Sequence, residues 1–217
     1  MEKSKIEENK KLVDLAFTCM IARGVTIDTL TQAEDLLTSI IAWCFYPVYE
    51  ELDGEIDKLL TDQAIALKSL ILRELSFQKK IKLIDDCIEI VNIEIYHDNR
   101  HLIKEIKQNL EASMKFRNLL AHSPMDSSKE YLRYTVGVLN NMCEDFQILE
   151  YKKGKVHKRL IKEEETKAEV HRVFNTCHKL LQLWALLRNK PEEAKQHEII
   201  GSMKSSEFGA VLKKMGF

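Results

Sequence analysis

Three side chains near the middle of the chain have the types needed to handle protons and anions: Arg117, Asn118 and His122. They fall late in a segment with helical periodicity. On a wheel at about 100° per residue, Ile103, Ile106, Leu110, Met114 and Leu120 share one arc, and Arg117 lies in its middle. A guanidinium cannot stay unpaired in a dry core, because its desolvation costs several kcal/mol. Arg117 must therefore meet a carboxylate, line a polar cleft, or face a subunit interface that holds a cleft. Asn118 and His122 are four apart and share a face beside that arc, so Asn118 can hydrogen-bond the imidazole and set its tautomer. His122 sits at the helix end, where exposed carbonyls favour an imidazolium. A lone buried arginine is more often structural; it is the convergence of the three that suggests a site.

The string Arg117-Asn118-Leu119-Leu120-Ala121-His122 matches Arg-Asn-x-x-x-His and resembles the signature of the HEPN superfamily. Ser123-Pro124 after the histidine, Leu75-Ser-Phe-Gln-Lys-Lys-Ile81 upstream, and the hairpin with a long helix downstream are similar to segments of its larger bacterial members. The overlap covers about residues 30–190. The resemblance implies an all-α, up-down helical bundle that dimerises through the motif-bearing helix, so that two copies of the motif line one cleft. For many members it also implies metal-independent endoribonuclease activity in toxin, phage-defence or RNA-processing systems, with RNA as substrate and a cognate antitoxin as a further partner. Other members are inactive and serve as binding or scaffolding modules, which is the alternative reading here.

The residue types suit that activity. RNA cleavage through the 2′-hydroxyl needs a base for its proton, an acid for the leaving 5′-oxygen, and positive charge on the phosphorane. On this reading His122 moves protons, Arg117 neutralises the phosphate oxygens with its planar fork, and Asn118 orients one of the two. A symmetric partner would supply a second His122. No metal or other cofactor is required.

Other clusters are weaker. Lys152, Lys153, Lys155, Lys158 and Arg159, followed by Lys162, can grip phosphates or simply keep a strand edge from adding strands. Ser76-Phe-Gln-Lys79 has the Ser-x-x-Lys spacing of penicillin-recognising enzymes without their other motifs, and Ser76 serves better as a helix cap. His97 and His101 are four apart and could share a metal but straddle an expected loop at Asp98-Asn99, and His171 and His178, seven apart beside Cys177 on a long helix, read as packed or surface histidines. The five cysteines (19, 44, 87, 143, 177) include no Cys-x-x-Cys and read as buried thiols in a reducing cytoplasm.

The elements that must position Arg117 and His122 are mostly helical. Gly24 is expected to stop a first helix, and Thr31-Gln-Ala-Glu34 to open a second as a capping box, running to about Phe45 before Pro47. Thr61 or Asp62 would cap the next, Ser76 another that fades at His97-Asp98-Asn99, and Pro124 would end the motif helix. Phe146–Tyr151 and Lys155–Ile161 flank Lys153-Gly154 as a β-hairpin near 146–161. A long helix follows over about Glu163–Arg188 and stops at Pro191. The domain is expected to span 1–190, with 191–217 as a tail holding a short helix.

Composition narrows the function classes. The seven glycines are too far apart for a dinucleotide fingerprint or a Walker loop. No apolar run approaches the ~18 residues of a membrane span, and the charged start predicts no signal peptide. A formal net charge of -1 hides a split: residues 1–100 carry 12 basic and 19 acidic side chains, residues 101–217 carry 21 and 15. The basic half can attract a polyanion.

Overall fold

In the computed structural model, which describes residues 2–46, 54–126 and 145–202, the first helix, α1 (Glu2–Phe45), runs without a break. Gly24 does not stop it and Thr31 does not open a new one. Cys19, Ala22, Thr26, Leu30, Ala33, Leu37 and Ile40 are buried at intervals of three and four across Gly24. One glycine costs a helix only about 1 kcal/mol relative to alanine, less than that stripe returns when buried.

Helix α2 (Gly54–Leu70) likewise begins upstream of its expected caps, so Thr61 and Asp62 lie in its interior. A 3₁₀ turn (Leu72–Glu74) leads to α3 (Phe77–Val91). Ser76 caps α3 as expected, its side chain accepting the Lys79 N–H at 3.4 Å. Asn92 then interrupts the helical run. Its Oδ1 accepts the Ile95 N–H at 3.0 Å and starts the short α4 (Ile93–Asp98). The motif helix α5 (Arg100–His122) follows.

Strands β1 (Phe146–Lys152) and β2 (Lys155–Ile161) pair antiparallel, with Phe146 opposite Ile161 and Lys152 opposite Lys155. Both loop residues, Lys153 (φ 50°) and Gly154 (φ 74°), are left-handed, the form whose twist matches the flanking strands. Helix α6 (Glu163–Leu187) starts with the Asp145 carboxylate accepting the Glu163 N–H at 2.9 Å. Asn189 (φ 57°), not Pro191, ends it, and the Lys190 N–H closes onto the Ala185 carbonyl at 2.8 Å. Pro191 instead occupies the first position of α7 (Pro191–Gly201), where a missing N–H costs nothing. Pro47, Cys143 and the tail beyond residue 202 lie outside the described residues.

Contacts divide the chain into two compact units, Met1–Asp28 with Met114–Val170 and Thr29–Ser113 with His171–Phe217. In the first, Cys19, Ala22, Leu120, Phe146, Ile148 and Ile161 form a sealed cluster with Phe116, Leu119 and Met125 packed against it. In the second, Leu37, Ile40, Ile41, Ile81, Ile84, Ile88, Ile103, Ile106 and Leu110 are fully buried. Polar links tie its helices together. Lys80 meets Glu34 at 2.6 Å, Lys68 meets Ser39 at 2.9 Å, Lys107 pairs with Asp85 and Lys179 with Glu105. Among the described residues no helix is long and apolar enough to cross a membrane.

Candidate functional site

The rotation of α5 in its last two turns is set by Phe116, Leu119 and Leu120, which pack on the hairpin cluster. That leaves Arg117 and Asn118 half-buried and His122 exposed. Arg117 shares a wheel position with the buried Ile103, Ile106 and Leu110, yet it is not sealed. Its Nη1 donates to Asn118 Oδ1 at 3.1 Å. No carboxylate among the described residues pairs with it. Of the three environments open to this arginine, the buried ion pair is therefore absent from the described part of the chain. Asn118 orients the guanidinium and makes no hydrogen bond to His122, so the tautomer-setting contact expected from their spacing is not formed.

The segment after His122 is pinned from three sides. The Ser123 N–H donates to the Leu119 carbonyl at 3.1 Å, and Met125 bridges Ile148. The Asp126 N–H donates to the Gln147 carbonyl at 2.7 Å, and the Leu149 N–H to the Pro124 carbonyl at 2.8 Å. Residues 124–126 thus cover the outer edge of β1 and hold the end of α5 to the hairpin. From α1, Arg23 Nη2 donates to the Ser123 carbonyl, placing a cation at the negative end of α5. Its charge partly offsets the effect of burial, which raises the Cys19 thiol pKa. Sequence periodicity did not single out Arg23. The available signal was a second arginine beside an apolar stripe, flanked by the buried Ala22 and Thr26.

The hairpin cations divide. Lys152 and Arg159 both pair with Glu150, Arg159 also reaches Glu165 at 3.3 Å, and Lys158 lies 3.2 Å from Asp126. Hydrogen bonding from Lys152, then the charges of Lys152 and Arg159, hold the Glu150 carboxyl below its usual value against its burial. Lys153 and Lys155 are exposed and pair with no carboxylate among the described residues.

Elsewhere, Ser76 Oγ is committed to its cap and Lys79 is exposed, which leaves no Ser-Lys dyad. His97 and His101 are exposed on α4 and α5, and no group of three metal-ligating side chains forms among the described residues. His178 does have a partner, His197 on α7, which the sequence did not single out. Their Nδ1 atoms are 3.1 Å apart, and Phe174 meets the His178 ring edge-on at 4.6 Å. Burial, then the neighbouring His197, lowers the His178 pKa. Burial pushes the thiols of Cys44 up to about 12 and of Cys87 and Cys177 up to about 11, so these are not activated nucleophiles. A cavity of about 290 Å³ opens where α3, α4 and α5 meet.

Compared with known proteins, the chain matches no family model, no curated protein and no solved structure.

Proposed function

We propose that this chain is a HEPN-type, metal-independent endoribonuclease whose active form is a homodimer joined through α5. The observation that carries the reading is the state of Arg117. It is half-buried, held by a neutral amide and free of any carboxylate among the described residues. A guanidinium fixed in this way keeps its charge for an incoming phosphate. Asn118 is the residue that aims it. His122, exposed one helical turn after Asn118, does the proton work.

The reaction then runs through the substrate's own nucleophile. His122 of one copy removes the 2′-hydroxyl proton as the 2′-oxygen bonds to phosphorus. Arg117 stabilises the charge on the phosphorane oxygens. The P–O5′ bond breaks, and an imidazolium from the second copy's His122 protonates the leaving oxygen. The products are a 2′,3′-cyclic phosphate and a 5′-hydroxyl. A second copy is needed because the acid and the base must act together and one chain carries a single His122. Arg23 and the pairing of residues 124–126 with β1 support the reading, since they hold the helix end that presents the imidazole.

The test is cleavage of total RNA by the purified full chain in EDTA. His122→Ala and Arg117→Ala are expected to lose activity while circular dichroism stays unchanged. A substrate with a 2′-deoxy sugar at the cut site is expected to resist. Intact RNA across several substrates, together with a stable dimer, supports the non-catalytic scaffold instead. Unfolding of Arg117→Ala would return Arg117 to a purely structural role.

A further inference from the structure

Of the hairpin's two edges, one is covered and the other is open. Residues 124–126 lie along β1 through the Met125–Ile148 bridge and the bonds from the Asp126 and Leu149 N–H groups. β2 pairs with no strand but β1 among the described residues, and six of its seven residues are exposed. Every second residue of such an edge directs its N–H and C=O outward, where another extended chain can pair with them. The strand register sorts the side chains into two faces. One face of β2 carries Lys155, His157 and Arg159. The other carries Val156 and Leu160, 54% and 45% exposed, with the 68% exposed Tyr151 directly opposite Val156 on β1. Lys158 interrupts that apolar row, but Asp126 balances its charge, as Glu150 and Glu165 do for Arg159. The uncancelled positive charge therefore sits at the turn, on Lys153 and Lys155, which have no carboxylate partner among the described residues.

A second copy of β2 does not suit this edge. Paired antiparallel about Lys158, it would set Lys158 against Lys158 and His157 against Arg159, and like charges directly opposite one another repel. A phosphate backbone could use the two free lysines, but not the aliphatic row. We propose that β2 is the docking edge for an extended acidic segment of a partner protein, which adds to the sheet as a strand beside it. Its carboxylates meet Lys153 and Lys155, and its aliphatic side chains cover Val156 and Leu160. The lysines thus exclude the chain's own strand and admit one of opposite charge. The inference does not rest on the nuclease reading, whose cleavage step uses none of these residues.

The test is fluorescence anisotropy of a labelled peptide, acetyl-Glu-Val-Glu-Val-Glu-Val-Glu-amide, titrated with the full chain. Saturable binding is expected. Two further peptides carry N-methyl groups, one on every glutamate and the other on every valine. A strand added along one edge donates from only one alternating set of N–H groups. One methylated peptide should therefore lose at least about tenfold in affinity while the other keeps it. Lys153→Glu with Lys155→Glu is expected to weaken the parent peptide by about tenfold, and Val156→Thr with Leu160→Thr by a smaller factor, each with the fold intact by circular dichroism. A peptide of equal charge with proline in place of valine cannot pair as a strand and should bind far more weakly. Equal binding of that peptide would make the hairpin a general polyanion surface, of the kind RNA would occupy, and would overturn the proposal. So would the absence of saturable binding at millimolar peptide, equal affinities for the two methylated peptides, or unchanged affinity in the charge-reversed variant.

Discussion

Arg117 and Lys80 are both cations drawn into the protein, and they are treated in opposite ways. Lys80 on α3 is 4% exposed, and Glu34 meets its ammonium at 2.6 Å. The charge is cancelled, so the pair links α3 to α1 and is available for nothing else. Arg117 on α5 is half-buried and is met by an amide oxygen, which fixes its direction and leaves its charge uncancelled. The same division recurs among the hairpin cations, where Lys152, Lys158 and Arg159 have carboxylate partners while Lys153 and Lys155 have none among the described residues. A cation with a carboxylate is part of the scaffold, and a cation with a neutral partner or none remains available to an anion.

The largest expected effect breaks this comparison at its two poles. His122→Ala or Arg117→Ala should lower the rate of RNA cleavage by about 10²–10⁴-fold, with little change in the urea midpoint. Lys80→Ala should do the reverse. It should cost about 3 kcal/mol of stability, the low end for a broken buried pair because Glu34 is one-third exposed, and leave the rate per folded molecule intact. A destabilised Arg117→Ala with normal residual activity would erase the distinction.

Acid sharpens the contrast from another side. Two Nδ1 atoms 3.1 Å apart can share one proton between them but cannot both be protonated without repulsion. Around the pair, Glu193 lies 4.0 Å from His197 Nε2 and is held at 2.7 Å by Arg188, while Lys179, next to His178, is paired with Glu105. The His178 pKa is lowered in the folded state, so the unfolded chain binds the proton more readily. Stability is therefore full above the ordinary value of 6.5 and falls as pH drops through it toward the lowered folded value. Equilibrium urea denaturation across that window should show the fall, and His178→Asn should flatten it. A slope unchanged in the variant would assign the acid sensitivity elsewhere.

A smaller effect separates the hairpin cations. Lys153→Glu with Lys155→Glu should weaken RNA binding and reduce its salt dependence by about one to two phosphate contacts, without a change in stability. Lys158→Ala should act mainly on stability, by less than about 1 kcal/mol because its partner is buried but the lysine is not. The smallest effect is at Gly24. A Cβ added there would meet nothing within 4 Å, and the backbone φ is not left-handed, so Gly24→Ala should stabilise by about 1 kcal/mol. Gly154→Ala, at φ 74°, should destabilise by a similar amount. A destabilised Gly24→Ala would mean that α1 ends there after all.

Where an element is decided by its own few residues, the sequence was sufficient. Lys153-Gly154 predicted a two-residue hairpin loop, Ser76 a helix cap and Pro124 the end of the motif helix, and each is found. The wheel placed Arg117 among apolar positions, and Ile103, Ile106, Leu110 and Leu120 of that arc are buried. These outcomes depend on backbone sterics, missing N–H groups and the period of the helix, all of which act within a few residues.

The tertiary structure decided what depends on partners far along the chain. A continuous buried stripe carried α1 through Gly24 against the local signal for a stop. Packing of Phe116, Leu119 and Leu120 on the hairpin cluster set the rotation of the last turns of α5, which left Arg117 half-buried and His122 exposed. Arg23 reached Ser123 across 100 residues, and His178 met His197 across 19. Residue types and spacing determined which groups were able to do chemistry; which of them kept an uncancelled charge was decided only when distant carboxylates, amides and carbonyls came within hydrogen-bonding distance.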